Sequence, residues 1–176
     1  NRIDIDKRPK LVEEQSRLGD WELDPIIGKN QSGVIVSMEA RRSKLTKLVQ
    51  LPRRTADAVG QALIDSLTPI KGFVHTLTAD NGKEFAGHTT VAKLLEAGFY
   101  FAKPYHSWER GLNEHTNGLV RQYFPKTMRF DEITTEKLME VEILLNNRPR
   151  KTLGFSTPQE IFNELSKSTK NQHMNA

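Results

Sequence analysis

The chain has no cysteine among its 176 residues, which excludes a disulfide framework and every cysteine-based zinc site. That absence agrees with a cytoplasmic protein, the location expected here. No apolar run approaches the roughly 20 residues needed to cross a bilayer, so no membrane partner is expected. A secretory signal pattern is missing from the start. The first residue is Asn1 rather than methionine, and the chain is expected to be a piece of a longer protein with further domains elsewhere. Aromatic residues are sparse at 7%, and neither sign of charge dominates: 26 Lys and Arg stand against 22 Asp and Glu, a net charge of +4. So small an excess permits a nucleic-acid partner without requiring one. What is left is the composition of one ordinary globular domain, 36% hydrophobic and 27% charged, long enough to bury a core.

Local patterns divide that domain into elements. Residues 1–18 are polar and charged, with Pro9 among them, and predict an extended arm ahead of a core over residues 19–165. Trp21-Glu22-Leu23-Asp24-Pro25-Ile26-Ile27 alternates in polarity and stops at Gly28, a strand in which Pro25 marks a bulge or an unpaired position. Aliphatic stretches over residues 33–42 and 45–51 predict two further strands of an antiparallel meander. The period then changes. Thr55 serves as an N-cap, and Ala58, Val59, Ala62, Leu63 and Leu67 follow at helical spacing. A strand over residues 73–77 leads into Asp80-Asn81-Gly82, a strong turn signal. The next helix carries Val91, Leu94 and Leu95 and is expected to end at Gly98; residues 99–102 predict another buried strand. Helices are expected over residues 113–124 and 134–146 and from Thr157-Pro158 onward, before a polar, disordered tail at 166–176. Three strands, then helix, strand, helix, strand and helices imply an α/β fold. Its mixed five-stranded sheet, flanked by helices, is a ribonuclease H-like arrangement.

Three carboxylates occupy telling places in this order. Asp24 lies within the first strand of the meander, Asp80 where the fourth strand ends, and Glu114 near the start of the helix after the last strand. Open sheets gather their sites beyond strand ends, where loops and helix starts converge. Such a cluster suits phosphodiester chemistry. Two divalent ions about 3.5–4 Å apart activate the attacking oxygen and stabilise the departing one, and hard ions such as magnesium prefer carboxylate oxygen. Periodicity does not choose the first member, because Asp20 and Glu22 share a face with Asp24 in a regular strand. Nor does it separate a functional Asp-Asn-Gly from a plain turn.

The surrounding motifs go further. Trp21-Glu22-Leu23-Asp24, Thr78-Ala79-Asp80-Asn81-Gly82-Lys83-Glu84-Phe85, and Lys103-Pro104-Tyr105 through Asn113-Glu114 resemble the three catalytic blocks of the DDE superfamily. That superfamily contains retroviral integrases and many insertion-sequence transposases. The run from Tyr105 to Leu119, continuing through Arg121-Gln122-Tyr123-Phe124-Pro125-Lys126, is similar to the insertion-sequence family numbered thirty. Asn147-Arg148-Pro149-Arg150-Lys151, Leu153-Gly154-Phe155 and Thr157-Pro158 resemble the close of that core. Between Asp80 and Glu114 lie 33 residues, the interval the family uses. The resemblance runs from about Gly19 to Phe162 and implies that Asp24, Asp80 and Glu114 are catalytic and bind metal, choosing Asp24 over its neighbours. It implies magnesium or manganese, two ions with DNA bound. Water would cleave a strand at a transposon end, and the freed 3′-hydroxyl would attack target DNA. The implied partners are double-stranded DNA and further copies of the chain, in a bacterial cytoplasm and at the nucleoid when bound. One departure stands out: His115 occupies a position where asparagine is common. Glu114 is the member expected to be out of place without DNA.

Other residues near the third block carry two readings each. His106 and His115 flank Glu114 at a spacing that fits no common zinc pattern. Asn113 and Asn117 bracket it, either orienting it and touching phosphate or capping and solvating the helix. Lys103, Arg110, Arg121 and Lys126 either hold a DNA backbone or form ordinary basic surface. Trp108 either stacks on a base or packs on the core. Lys103, His106, Trp108, Arg110, Asn113, Asn117, Arg121 and Lys126 are thus the expected DNA contacts. Arg41, Arg42, Arg53 and Arg54 are solvated strand ends or meet DNA. The competing functions are a ribonuclease H-like nuclease without strand transfer and an inactive DNA-binding module.

Overall fold

The computed structural model describes residues 1–103 and 111–174, without the side chains of residues 111–113. Strands β2 (Asp20–Ile27), β3 (Val34–Ala40) and β4 (Thr46–Leu51) form the antiparallel meander, with Asp24 opposite Ser37 and Val36 opposite Val49. Helix α2 (Ala56–Leu67) crosses to β5 (Thr76–Ala79), and α3 (His88–Leu95) crosses to β6 (Gly98–Phe101). Both later strands run parallel, β5 beside β2 and β6 beside β5. Helices α4 (Gly111–Tyr123), α5 (Thr135–Asn146) and α6 (Pro158–Met174) complete the ribonuclease H-like order. Caps act where hydroxyls were placed for them. Thr55 Oγ1 accepts the Ala58 N–H at 3.2 Å and Thr134 Oγ1 that of Lys137 at 3.1 Å, each contributing about 1 kcal/mol.

The sheet has a sixth strand that polarity alone did not suggest. β1 (Ile3–Asp4) pairs in parallel with β6, giving the order β1-β6-β5-β2-β3-β4. The arm continues into the one-turn helix α1 (Lys10–Glu13), which starts just after Pro9. Its charged residues are anchors: Arg8 is buried and donates to Thr78 Oγ1 at 2.9 Å. Other boundaries shift for local reasons. β5 begins at Thr76 rather than 73 because residues Thr68–Phe73 form 3-10 turns. Glu96, not Gly98, ends α3 by adopting a left-handed φ of 54°, and Leu94 points to solvent. Gly98 instead opens β6, where an added Cβ would lie 2.7 Å from the Tyr100 ring. Pro25 stays in the β2–β3 ladder, past the last β5 partner at Glu22, so its missing N–H falls where β2 has β3 alone beside it. The stretch expected to fray after Ser166 is helical as far as Met174.

Side-chain alternation gives the sheet two unlike faces. Trp21, Leu23, Val36, Met38, Leu77, Phe99 and Phe101 pack with α2, α3 and Phe162 of α6 into one apolar core. The opposite face is apolar only at one end, where Ile26, Ile35 and Leu48 lie under Val120, Phe124, Phe130 and Val141. Beyond that end it carries Glu22, Asp24, Ser37 and Glu39.

Candidate active site

β2 presents Asp20, Glu22 and Asp24 on the polar face, and their surroundings differ sharply. Asp20 is buried and accepts from Arg17 Nε and Nη2, each at 2.9 Å, and from Thr76 Oγ1 at 2.8 Å. Glu22 is buried too and pairs with Arg41, whose Nε is held by the Val12 carbonyl at 3.1 Å. Glu13 of the arm pairs with both Arg8 and Arg41. A buried carboxylate without such partners costs several kcal/mol, so these acids are tied up in holding the fold. Asp24 alone of the three keeps part of its surface in solvent.

Asp80 follows β5 directly. The β2–β5 ladder pairs Asp20 with Thr76 and Glu22 with Thr78; the same register carried two residues on brings Asp24 opposite Asp80. Adjacent strands lie about 4.8 Å apart, so two carboxylates on one side of the sheet would there share a neighbourhood. The turn bearing Asp80 is braced from several directions. Its own Oδ1 accepts the Gly82 N–H at 2.8 Å, and Asn81 Nδ2 donates to the Ala102 carbonyl at 2.6 Å. Arg2 of the arm donates to the Asn81 and Gly82 carbonyls at 2.5 and 2.7 Å while its guanidinium sits 4.6 Å from the Phe101 ring centre.

Helix α4 reaches this edge through Asn117, whose Nδ2 donates to Asp24 Oδ2. Ser37 Oγ donates to the Asp24 backbone carbonyl at 3.2 Å and so holds the strand rather than the carboxylate. Glu114 lies one turn earlier on α4 and is exposed, as is His115. Among the described residues, no three acids or histidines are grouped closely enough to hold a metal ion together. The donor chemistry nevertheless fits hard divalent ions: Asp24 on β2 and Asp80 just past β5 are half-exposed carboxylates, the oxygen donors such ions prefer.

Of the expected DNA contacts, His106, Trp108 and Arg110 lie outside the described residues, as does the Asn113 side chain. Lys103 pairs with Asp6 of the arm. Arg121 turns inward: Nη2 donates to the Ile27 carbonyl at 2.8 Å, and partial burial lowers its affinity for the proton. Lys126 is exposed just beyond α4. The sequence reading missed the arm's grip on the Asp80 turn and the burial of Glu39. Glu39 stands opposite Glu22, and burial raises its carboxyl to about 8. Strand alternation was the available signal, since it puts Glu39 and Glu22 on one face.

No known family profile matches the chain. It is 49% identical over 164 residues to the transposase for insertion sequence element IS4351 of Bacteroides fragilis, covering 93% of this chain and 50% of that protein. With the transposase InsI for insertion sequence element IS30A of Escherichia coli (strain K12) the identity is 38% over 163 residues, covering 92% and 42%. The chain thus spans about half the length of these curated relatives. A chain in the cryo-EM structure of the simian T-cell lymphotropic virus intasome in complex with PP2A regulatory subunit B56 gamma shares the fold. The TM-score is 0.67 at 18% identity, covering 82% of this chain and 54% of that one. No helix among the described residues is long and apolar enough to cross a membrane.

Proposed function

We propose that this chain, homologous over nearly all its length to IS30-family transposases, is the catalytic part of such an enzyme. It cuts DNA strands at transposon ends and joins them to target DNA. The observation that carries the reading is the β2–β5 register, which, carried two residues past Glu22 and Thr78, sets Asp24 opposite Asp80, with α4 fastened to Asp24 through Asn117. Asp24 and Asp80 would hold magnesium or manganese, with Glu114 completing the set once DNA is bound. Two such ions would polarise the phosphodiester and lower the pKa of the attacking group.

The chain's own residues position that chemistry. Asn117 fixes the Asp24 carboxylate, Ser37 holds the Asp24 backbone carbonyl, and the Gly82 N–H fixes Asp80. Water attacks the phosphorus at the transposon end, leaving a 3′-hydroxyl and a 5′-phosphate. The 3′-hydroxyl then attacks a target phosphorus, forming one phosphodiester as another breaks and releasing a new 3′-hydroxyl. Because bonds are exchanged one for one, the second step needs no external energy source. Two ends held together require more than one catalytic copy, so the working form is a homo-oligomer on double-stranded DNA, in a bacterial cytoplasm.

The test is a divalent-ion-dependent assay on labelled transposon-end DNA. Strand-transfer products are expected. Hydrolysis alone would make the protein a nuclease, and binding without chemistry an inactive module. Asp80→Asn and Glu114→Gln should each reduce cleavage on the order of 10³-fold; full activity in either variant sinks the assignment.

A further inference from the structure

A cleft of about 660 Å³ opens between the β3–β4 turn and the segment that follows α5. Arg42 and Lys44 line it from the turn, Arg148, Arg150 and Lys151 from that segment, and His115 from α4. Arg42, Arg148 and Lys151 are exposed. Arg150 is half-buried, donates through Nη2 to the Leu145 carbonyl at 3.1 Å, and has a buried Nε with no partner among the described residues. Glu39 is the one acid in the lining, 2% exposed, and its Oε2 is likewise without a partner there. Burial holds that carboxyl up at about 8, so at neutral pH it is mostly protonated and adds little negative charge. The cleft therefore gathers cations from two separate chain segments around a floor that does not neutralise them. Such crowding is self-repelling until an anion enters.

We propose that this cleft seats the phosphate backbone of a DNA strand, separately from the carboxylates of β2 and β5. Its volume is many times that of a free phosphate, and its exposed cations stand on opposite walls, which suits a chain of phosphates rather than one. Helix α4 links it to the active site. His115 faces the cleft while Asn117, two residues on, touches Asp24, and residues so spaced point to different sides of a helix. A strand lying in the cleft would pass along α4 toward the carboxylates. The inference rests on the DNA-acting reading above.

Duplex binding, followed by fluorescence anisotropy of the whole chain across a salt series, tests it. The triple variant Arg42→Ala/Arg148→Ala/Lys151→Ala should bind at least about tenfold more weakly at 0.1 M salt, whatever the sequence, with its log–log salt slope reduced by roughly 2–3. A triple variant of equal charge on the other face of the sheet, Lys93→Ala/Lys167→Ala/Lys170→Ala, should bind as the parent does. Equal losses in both would reduce the effect to net charge and overturn the proposal. So would an unchanged slope in the first variant, or a parent that binds no duplex. Displacement of the duplex by inorganic phosphate at matched ionic strength would make the cleft a small-anion site instead. These readouts concern binding alone. A parent that binds through the cleft yet cuts nothing would refute the catalytic reading and leave the cleft standing.

Discussion

The two faces of the sheet are made by alternate residues of the same strands, yet they are stabilised by different means. Trp21 and Leu23 enter an apolar core with α2 and α3, whereas Glu22 and Asp24, their neighbours in β2, lie among arginines, amides and hydroxyls. Apolar burial is non-directional and contributes roughly 25 cal/mol per Å² removed from water. A buried carboxylate has no such margin, because it stays favourable only while each specific partner is in place. One face depends on filled volume, the other on particular partners. The site sits on the second face, at the end where its acids meet solvent.

That difference can be broken from either side. Trp21 is fully buried and its Nε1 donates to the Phe73 carbonyl at 2.9 Å. Trp21→Ala should destabilise the fold by about 3–5 kcal/mol, a fall of roughly 6–20 °C in Tm by calorimetry. Refolded protein below its Tm should keep the strand-cleaving activity proposed for it. On the polar face, Arg41→Met strands Glu22 and should cost about 3–5 kcal/mol. Adding Glu22→Leu should recover most of that loss, since an apolar pair of similar size replaces the ion pair. If the double variant is no more stable than Arg41→Met alone, Glu22 is not held by Arg41 in the way described.

A smaller effect separates support from catalysis. Asn117 touches Asp24 but is not itself proposed to meet the reacting atoms. Asn117→Ala should lower kcat about 10- to 100-fold, the range typical of groups that orient metal ligands, while KM for DNA and Tm stay close to the parent values. Asn117→Asp, which sets two carboxylates together, should not rescue it. A loss confined to KM would instead mark Asn117 as a DNA contact.

How far these relations could be read without coordinates depends on how local they are. The meander, the Thr55 cap and the turn at Asp80 follow from alternation, capping chemistry and Asp-Asn-Gly, each within a few residues. The register that pairs Glu22 with Thr78 joins strands 56 positions apart and depends on α2 packing, which no local pattern states. In sequence the polar arm predicts only an extended segment because its apolar residues are few. Its order comes from Arg2 on the Asp80 turn and Arg8 on Thr78, contacts about 70–80 residues away in sequence. Glu39 looked like any strand glutamate, since burial is a property of what covers a residue.

Glu39 also provides the subtlest test of the polar face, through pH. Its carboxyl rises from 4.5 to about 8, chiefly because burial penalises the charged form; Glu22 adds to the rise, while Lys44, Arg150 and Arg41 oppose it. Below pH 4.5 both folded and unfolded chains hold this proton, and the fold loses nothing. Between 4.5 and 8 the unfolded chain releases it while the folded chain retains it, so stability falls as pH rises. Above 8 both are ionised and the penalty is constant. Glu39→Gln removes the titration. Its stability, read from Tm, should match the parent near pH 4.5 and exceed it by pH 8, by about 1–2 kcal/mol, less than the full shift implies because water reaches the carboxylate from the cleft as it ionises. Lys44, itself pushed down by burial and raised by Glu39, should lose its proton more readily in that variant. A Tm gap that is equal at pH 5 and pH 9 would mean that Glu39 is already charged in the folded protein, and the polar face would then be balanced by its cations rather than by a retained proton.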